Sequence, residues 1–183
     1  MLNFKEFLNE KKENQTYSYG CAMLYFQFPE MVDLHSKIEV SDIYDNEKGE
    51  FGLERAPHCT LLYGLHSDEI APEKVLGICK SVDYGISKLH NISLFESKDY
   101  DVLKFDVDNG ATFLANKMLS ILPYTSSYPD YHPHMTVAYL KSGKGKDYVE
   151  KFKSLSFTVF PDQIVYSVPD GTKHSVSIKD FHA

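Results

Sequence analysis

The chain has 183 residues, 43% of them hydrophobic, and a formal net charge of -7 from 26 acidic against 19 basic residues. That content fills the core of one domain, and the acidic balance, with no long basic block, argues against long polyanions such as duplex DNA as partners. There is no run of about eighteen apolar residues to span a bilayer, and the first residues lack the basic flank and apolar run of a secretory signal.

The three cysteines, Cys21, Cys59 and Cys79, are odd in number, lack ligand-like spacing and sit in apolar stretches. They read as reduced core thiols of a cytoplasmic protein with no membrane association.

Taken in chain order, residues 1–16 form an N-terminal helix or tail, amphipathic at first and then charged, and residues 17–183 form the domain. SYGCAMLYFQF reads as a strand, and Pro29 opens a helical stretch, PEMVDLHSKIE. A polar, glycine-containing loop leads to the strand PHCTLLYGLH, followed by a helix from about Pro72 to Val82. HNISLFES and DVLKFDVDN are strands, and ATFLANKMLSIL has helical spacing of its apolar residues.

The loop PYTSSYPDY precedes a strand beginning PHMTVAYL, and KGKDYVEKFKSL reads as an exposed helix. FTVFPDQIVYSV and KHSVSIKD close the chain as two strands joined by the hairpin turn PDGT. Strands joined by hairpins and interspersed with helices predict an α+β fold with largely antiparallel sheets.

Two of these strands begin with the same pattern, Pro-His-x-Thr-x-x-Tyr: Pro57, His58, Thr60 and Tyr63, then Pro133, His134, Thr136 and Tyr139. Side chains two apart in a strand share a face, so each copy presents an imidazole and a hydroxyl together. On unbroken alternation Cys59, Leu61 and Tyr63, like Met135, Val137 and Tyr139, point into the core. Leu62, Gly64 and Ala138 then lie on the polar face and leave room for a ligand.

Phosphodiester transfer needs a base for the attacking hydroxyl, an acid for the leaving oxygen and donors for the nonbridging oxygens; two histidines and two threonines supply all three. A single His-x-Thr is ordinarily structural. Its recurrence at two strand starts makes His58, Thr60, His134 and Thr136 the candidate catalytic residues. Among the other histidines His35, His66, His90, His174 and His182 read as surface or packing residues, and His132 as either a phosphate ligand or structural.

A metal cage of His58, His132 and His134 competes, but no His-Glu-x-x-His, cysteine pair or clustered carboxylate accompanies these residues; neither metal nor cofactor is expected. Cys59 is turned away from His58 and is a poor nucleophile candidate. Tyr25 and Phe95 lie on the more polar faces of their strands and are candidates for stacking on nucleobases, or else for covering an edge. Tyr124, Tyr128 and Tyr131 form either a flap or, more simply, a loop packed on its own scaffold.

With both motifs in view, the chain resembles the two-histidine (2H) phosphoesterase superfamily, the LigT-like proteins, marked by paired His-x-Thr motifs; FQFPEMVDLHSKI is similar to the strand, Pro-Glu and helix that open such proteins. The resemblance implies a bilobal α+β fold of two mostly antiparallel sheets with helices outside, pseudo-two-fold symmetry, motif strands facing across a cleft, and catalysis without a metal.

YGCAMLYFQFPEM, APHCTLLYGLH, YPDYHPHMTVAYLK and VYSVPDGTK resemble the tailed-phage branch, the anti-CBASS nucleases. That likeness implies hydrolysis of 3′-5′ bonds in cyclic di- and trinucleotides in the cytoplasm of an infected bacterium. Action on 2′,3′-cyclic or 2′-5′ nucleotide phosphates, and a non-catalytic cyclic-nucleotide sponge, are the alternatives.

Overall fold

The computed structural model describes residues 17–45, 51–126 and 130–178; the segment 1–16, Tyr128 and His182 lie outside the described residues. The strands are β1 (Tyr19–Gln27), β2 (His58–His66), β3 (Ser87–Glu96), β4 (Tyr100–Asp108), β5 (His134–Lys141), β6 (Phe157–Ser167) and β7 (Lys173–Ser177). The helices are α1 (Met31–Ser36), α2 (Pro72–Lys80), α3 (Gly110–Leu119) and α4 (Gly145–Phe152). All pairings of these strands are antiparallel, in the order β1-β2-β5-β4-β3-β6-β7, and β6 also pairs with β1.

The α+β class is as expected, and the sheet divides naturally into two parts. One part is β2-β1-β6-β7 and the other β5-β4-β3. They meet at two short seams, the single pair Cys59↔Met135 and the three pairs joining Ser87–Leu89 to Phe157–Val159. In each part the motif strand lies at the first seam, so the closed ring of six strands brings both His-x-Thr copies side by side.

One face of the sheet is dry. Leu24, Cys59, Leu61, Leu89, Leu103, Phe105 and Met135 are fully buried there, where α1 contacts β5, α3 contacts β2, and α4 contacts β3 and β4. The predicted first helix is shorter than its apolar pattern suggested. It ends at Ser36, because the backbone N–H of Glu39 is taken by Tyr148 Oη at 2.9 Å, and that hydroxyl in turn donates to Asp42 at 2.9 Å.

Two polar or backbone details hold the site-bearing elements in place. Asn109, buried at the start of α3, accepts from Ala111 N (2.9 Å) and donates to Tyr84 O (2.8 Å) and Ser87 Oγ (2.7 Å), tying β4, α3 and the approach to β3 together. Gly64, at φ +91°, lets the loop before β5 dock on β2: Thr125 N donates to Gly64 O at 2.9 Å, and a Cβ at residue 64 would lie 1.9 Å from Thr125 O.

Gly64→Ala is expected to destabilise the fold by about 2 kcal/mol or more, since it adds a left-handed strain to a backbone collision. Asn109→Ala should cost about 1 to 2 kcal/mol. Urea denaturation of both variants checks these values, and a loss under about 0.5 kcal/mol for Gly64→Ala would show that the Thr125 contact is dispensable.

Candidate active site

Each motif histidine is fixed by the chain just before it. His58 Nδ1 lies 2.8 Å from Ala56 O, and His134 Nδ1 lies 2.8 Å from His132 O. A carbonyl only accepts, so in the neutral ring Nδ1 carries the hydrogen and Nε2 carries the lone pair. The intervening Pro57 and Pro133 hold the preceding residue in extended backbone, which presents its carbonyl to the ring. Among the described residues Nε2 of either ring has no hydrogen-bond partner.

The seam aligns the two copies. With Cys59 opposite Met135, the antiparallel register carried one residue either way sets His58 beside Thr136 and Thr60 beside His134, all on the face opposite the buried Cys59 and Met135. The four side chains therefore form one patch with the rings on a diagonal. His58 is close enough to be among the charges that act on His134.

Strict alternation fails just beyond each threonine, for the same reason twice. Ala22 pairs with Leu62 and Met23 with Thr60, leaving Leu61 as an extra residue. Leu103 pairs with Ala138 and Lys104 with Thr136, leaving Val137 extra. These matched β-bulges reverse the parity of the residues that follow, in β2 as far as a second bulge at Gly64, after which Leu65 is again in the core. Leu62 and Ala138, expected to line the polar face, are buried at 7% and 0% exposure.

Tyr63 and Tyr139, expected in the core, come to the histidine face instead: Tyr63 is exposed, and Tyr139 packs among Phe51 and Tyr100. The carbonyls displaced by the bulges are satisfied by side chains. Asn116 Nδ2 donates to Leu61 O at 2.7 Å, and His35 Nε2 donates to Val137 O at 2.9 Å.

The surroundings of the two rings differ in charge. Tyr25, opposite His58 on β1, stacks on it at 5.3 Å, and Phe95 meets the His134 ring edge-on at 4.8 Å. Beside His58, Glu54 Oε2 approaches Nδ1 at 4.0 Å. Beside His134, the buried Lys104 bonds Asp106 at 2.5 Å and lies over the Phe95 ring at 4.8 Å. The cross-strand position of Lys104, opposite Thr136, is occupied in the other half by Met23, opposite Thr60.

Burial lowers the pKa of His134 below the ordinary histidine value. Lys104 and His58 push it the same way, against the His132 carbonyl and Asp106. Burial also favours the protonated Asp106, but Lys104 and Asn91 outweigh it and hold the carboxyl below the usual range. Cys59 is fully buried with its thiol pushed up to about 12, chiefly by burial. Cys21, expected in the core, is only half-buried on the histidine face, with burial raising its thiol to about 11 against a hydrogen bond from Thr60.

The other histidines separate. His35 is structural, through its bond to Val137 O, and the buried His66 bonds Thr125 Oγ1 at 2.8 Å and stacks on Tyr17. His90 and His132 line a cavity beside His134, a placement that the sequence reading did not foresee for His90. Of the tyrosine loop, Tyr131 donates to Thr60 O at 3.0 Å and Tyr124 bridges to Leu65, so these two pack on the scaffold. Lys104 and Asp106 were legible as charges at period two inside an apolar strand; Glu54, in an irregular loop, carried no signal.

No protein-family model matches the sequence, and no curated protein sequence does. Among solved structures, Usb1 of Kluyveromyces marxianus is similar with a TM-score of 0.56, at 8% identity, over 87% of this chain and 97% of that one. The same protein with uridine monophosphate gives 0.53 at 10% identity over the same shares. LigT of E. coli complexed with 3′-AMP gives 0.48 at 12% identity, over 87% and 95%. Usb1 and LigT are members of the 2H phosphoesterase superfamily. With a large antiparallel sheet, flanking helices and this strand arrangement, the chain has the 2H phosphoesterase fold.

Proposed function

We propose that the chain is a phosphodiesterase that acts on small nucleotides by paired-histidine acid/base catalysis, and that its substrates are cyclic di- and trinucleotides cleaved at 3′-5′ bonds. The observation that carries this reading is the pair of His-x-Thr strands meeting at one seam, each imidazole pinned through Nδ1 with Nε2 left unpartnered among the described residues. The similar fold of Usb1, solved with uridine monophosphate, supports a nucleotide ligand. The cyclic substrate rests on the sequence resemblance to the phage anti-CBASS nucleases.

The charge asymmetry supports an assignment of roles. His134, held neutral by burial and Lys104, takes the proton of a ribose 2′-hydroxyl at Nε2 as the 2′-oxygen bonds to the adjacent phosphorus. His58, with Glu54 as counter-charge, donates a proton to the 5′-oxygen as the P–O5′ bond breaks. Thr60 and Thr136 donate to the nonbridging oxygens. Water then opens the 2′,3′-cyclic phosphate with the roles reversed.

His58→Ala and His134→Ala should each lower turnover about 100- to 10,000-fold while the protein stays folded. Incubation with a panel of cyclic di- and trinucleotides, 2′,3′-cyclic mononucleotides and 2′-5′-linked dinucleotides, with chromatographic separation, reads the substrate class. Products from the first group alone support the proposal, whereas ligand retained intact indicates a sponge. Chelation should leave the rate unchanged.

Because His134 must be neutral to act as base and its pKa is depressed, kcat/KM should be retained as the pH falls to about 6.5, the ordinary histidine value, and fall only below it. An acid limb centred above about 6.5 would place the base elsewhere.

A further inference from the structure

Beside His134 the polar face of the sheet opens into a cavity of about 500 Å³, within the range of ligand pockets, about 300 to 1,000 Å³. Its apolar walls are Phe95, which already contacts the His134 ring, and Phe113 on α3; they are 42% and 51% exposed. Two large exposed rings on one cavity suit a planar, apolar-faced guest.

The polar lining narrows the guest further. Asp106 and Asp108 contribute two carboxylates; Lys104 neutralises Asp106 by pairing with it, and the charge left on Asp108 disfavours a phosphate inside the cavity. Asp106 is also engaged by Asn91, so each of its oxygens already accepts a hydrogen bond and its orientation is fixed. The carboxylate of Asp108, exposed at the end of β4, has no hydrogen-bond or ion-pair partner among the described residues. Nor do any three His, Cys, Asp or Glu side chains among the described residues form a cation-holding group. The cavity thus offers two aromatic walls, one uncommitted carboxylate, and the imidazoles of His90 and His132.

A carboxylate best matches two adjacent N–H donors. Guanine alone among the common bases carries a ring N–H beside an exocyclic amino group, and its carbonyl oxygen can accept from an imidazole. Adenine and cytosine place a ring acceptor beside their amino group, and uracil flanks its N–H with two carbonyl oxygens. The cavity adjoins His134, the proposed base, which must lie near the ribose whose hydroxyl attacks.

We propose that this cavity binds the nucleobase of the attacking nucleoside and that Asp108 makes guanine its preferred occupant. This rests on the paired-histidine reading.

The test uses the full chain and the dinucleotides GpA, ApA, CpA and UpA, which differ only in the upstream base. GpA should be cleaved with a kcat/KM about tenfold or more above UpA, and in Asp108→Asn that ratio should collapse toward one. Phe113→Ala should raise KM about tenfold for all four. Circular dichroism confirms that both variants are folded. A flat upstream preference in the parent, or a ratio that survives Asp108→Asn, overturns the proposal.

If no linear dinucleotide is cleaved, the catalytic reading is still decided by the cyclic-nucleotide panel, and calorimetric titration with GMP and UMP decides the pocket. GMP preference weakened by Asp108→Asn upholds the base site, and equal affinities overturn it.

Discussion

The site depends on one contact made twice: a backbone carbonyl two residues upstream accepts from the Nδ1 of each motif histidine. A strand residue alone would leave its imidazole free to rotate and to choose either tautomer. Here a proline preceding the ring holds the carbonyl in position, and the ring is fixed with one nitrogen committed and the other bearing a lone pair. The carbonyl contact orients either imidazole within its own strand start, so a motif as short as Pro-His-x-Thr places the ring on each side.

The second constraint is the pair of bulges. Each inserts one residue after the threonine, and each frees a carbonyl that must be satisfied: Asn116 serves Leu61 and His35 serves Val137. The side chains used are unrelated, yet the geometry repeats. A two-fold frame is thus preserved in the backbone while its decoration diverges, with Met23 on one side and the Lys104–Asp106 pair on the other. That divergence gives two equivalently placed histidines unequal electrostatic surroundings.

Much of this could be read in the sequence. The strands followed from alternation and turn residues, and the two motifs identified the patch, because recurrence of His-x-Thr at strand starts is independent of tertiary detail. What alternation could not supply was its own interruption. A bulge depends on the register of the neighbouring strand, so alternation alone puts Tyr63 and Tyr139 on the wrong face, and Leu62 and Ala138 likewise. Glu54 reaches His58 through an irregular loop, and the role of His35 depends on a carbonyl 102 positions away. Lys104 and Asp106 stood in plain view as charges within an apolar strand, but their partners on β3 and β5 became apparent only with the strand order.

The join between Ser87–Leu89 and Phe157–Val159 has a further implication. The polypeptide enters the β3-β4-β5 part at Ser87 and comes back from it at Phe157, and these two points lie at opposite ends of the same three-pair seam, Ser87 opposite Val159 and Phe157 opposite Leu89. The span between them behaves as a cassette with adjoining ends. Replacing or remodelling that span would alter the surroundings of one imidazole, while the strands that carry the other remain threaded as before.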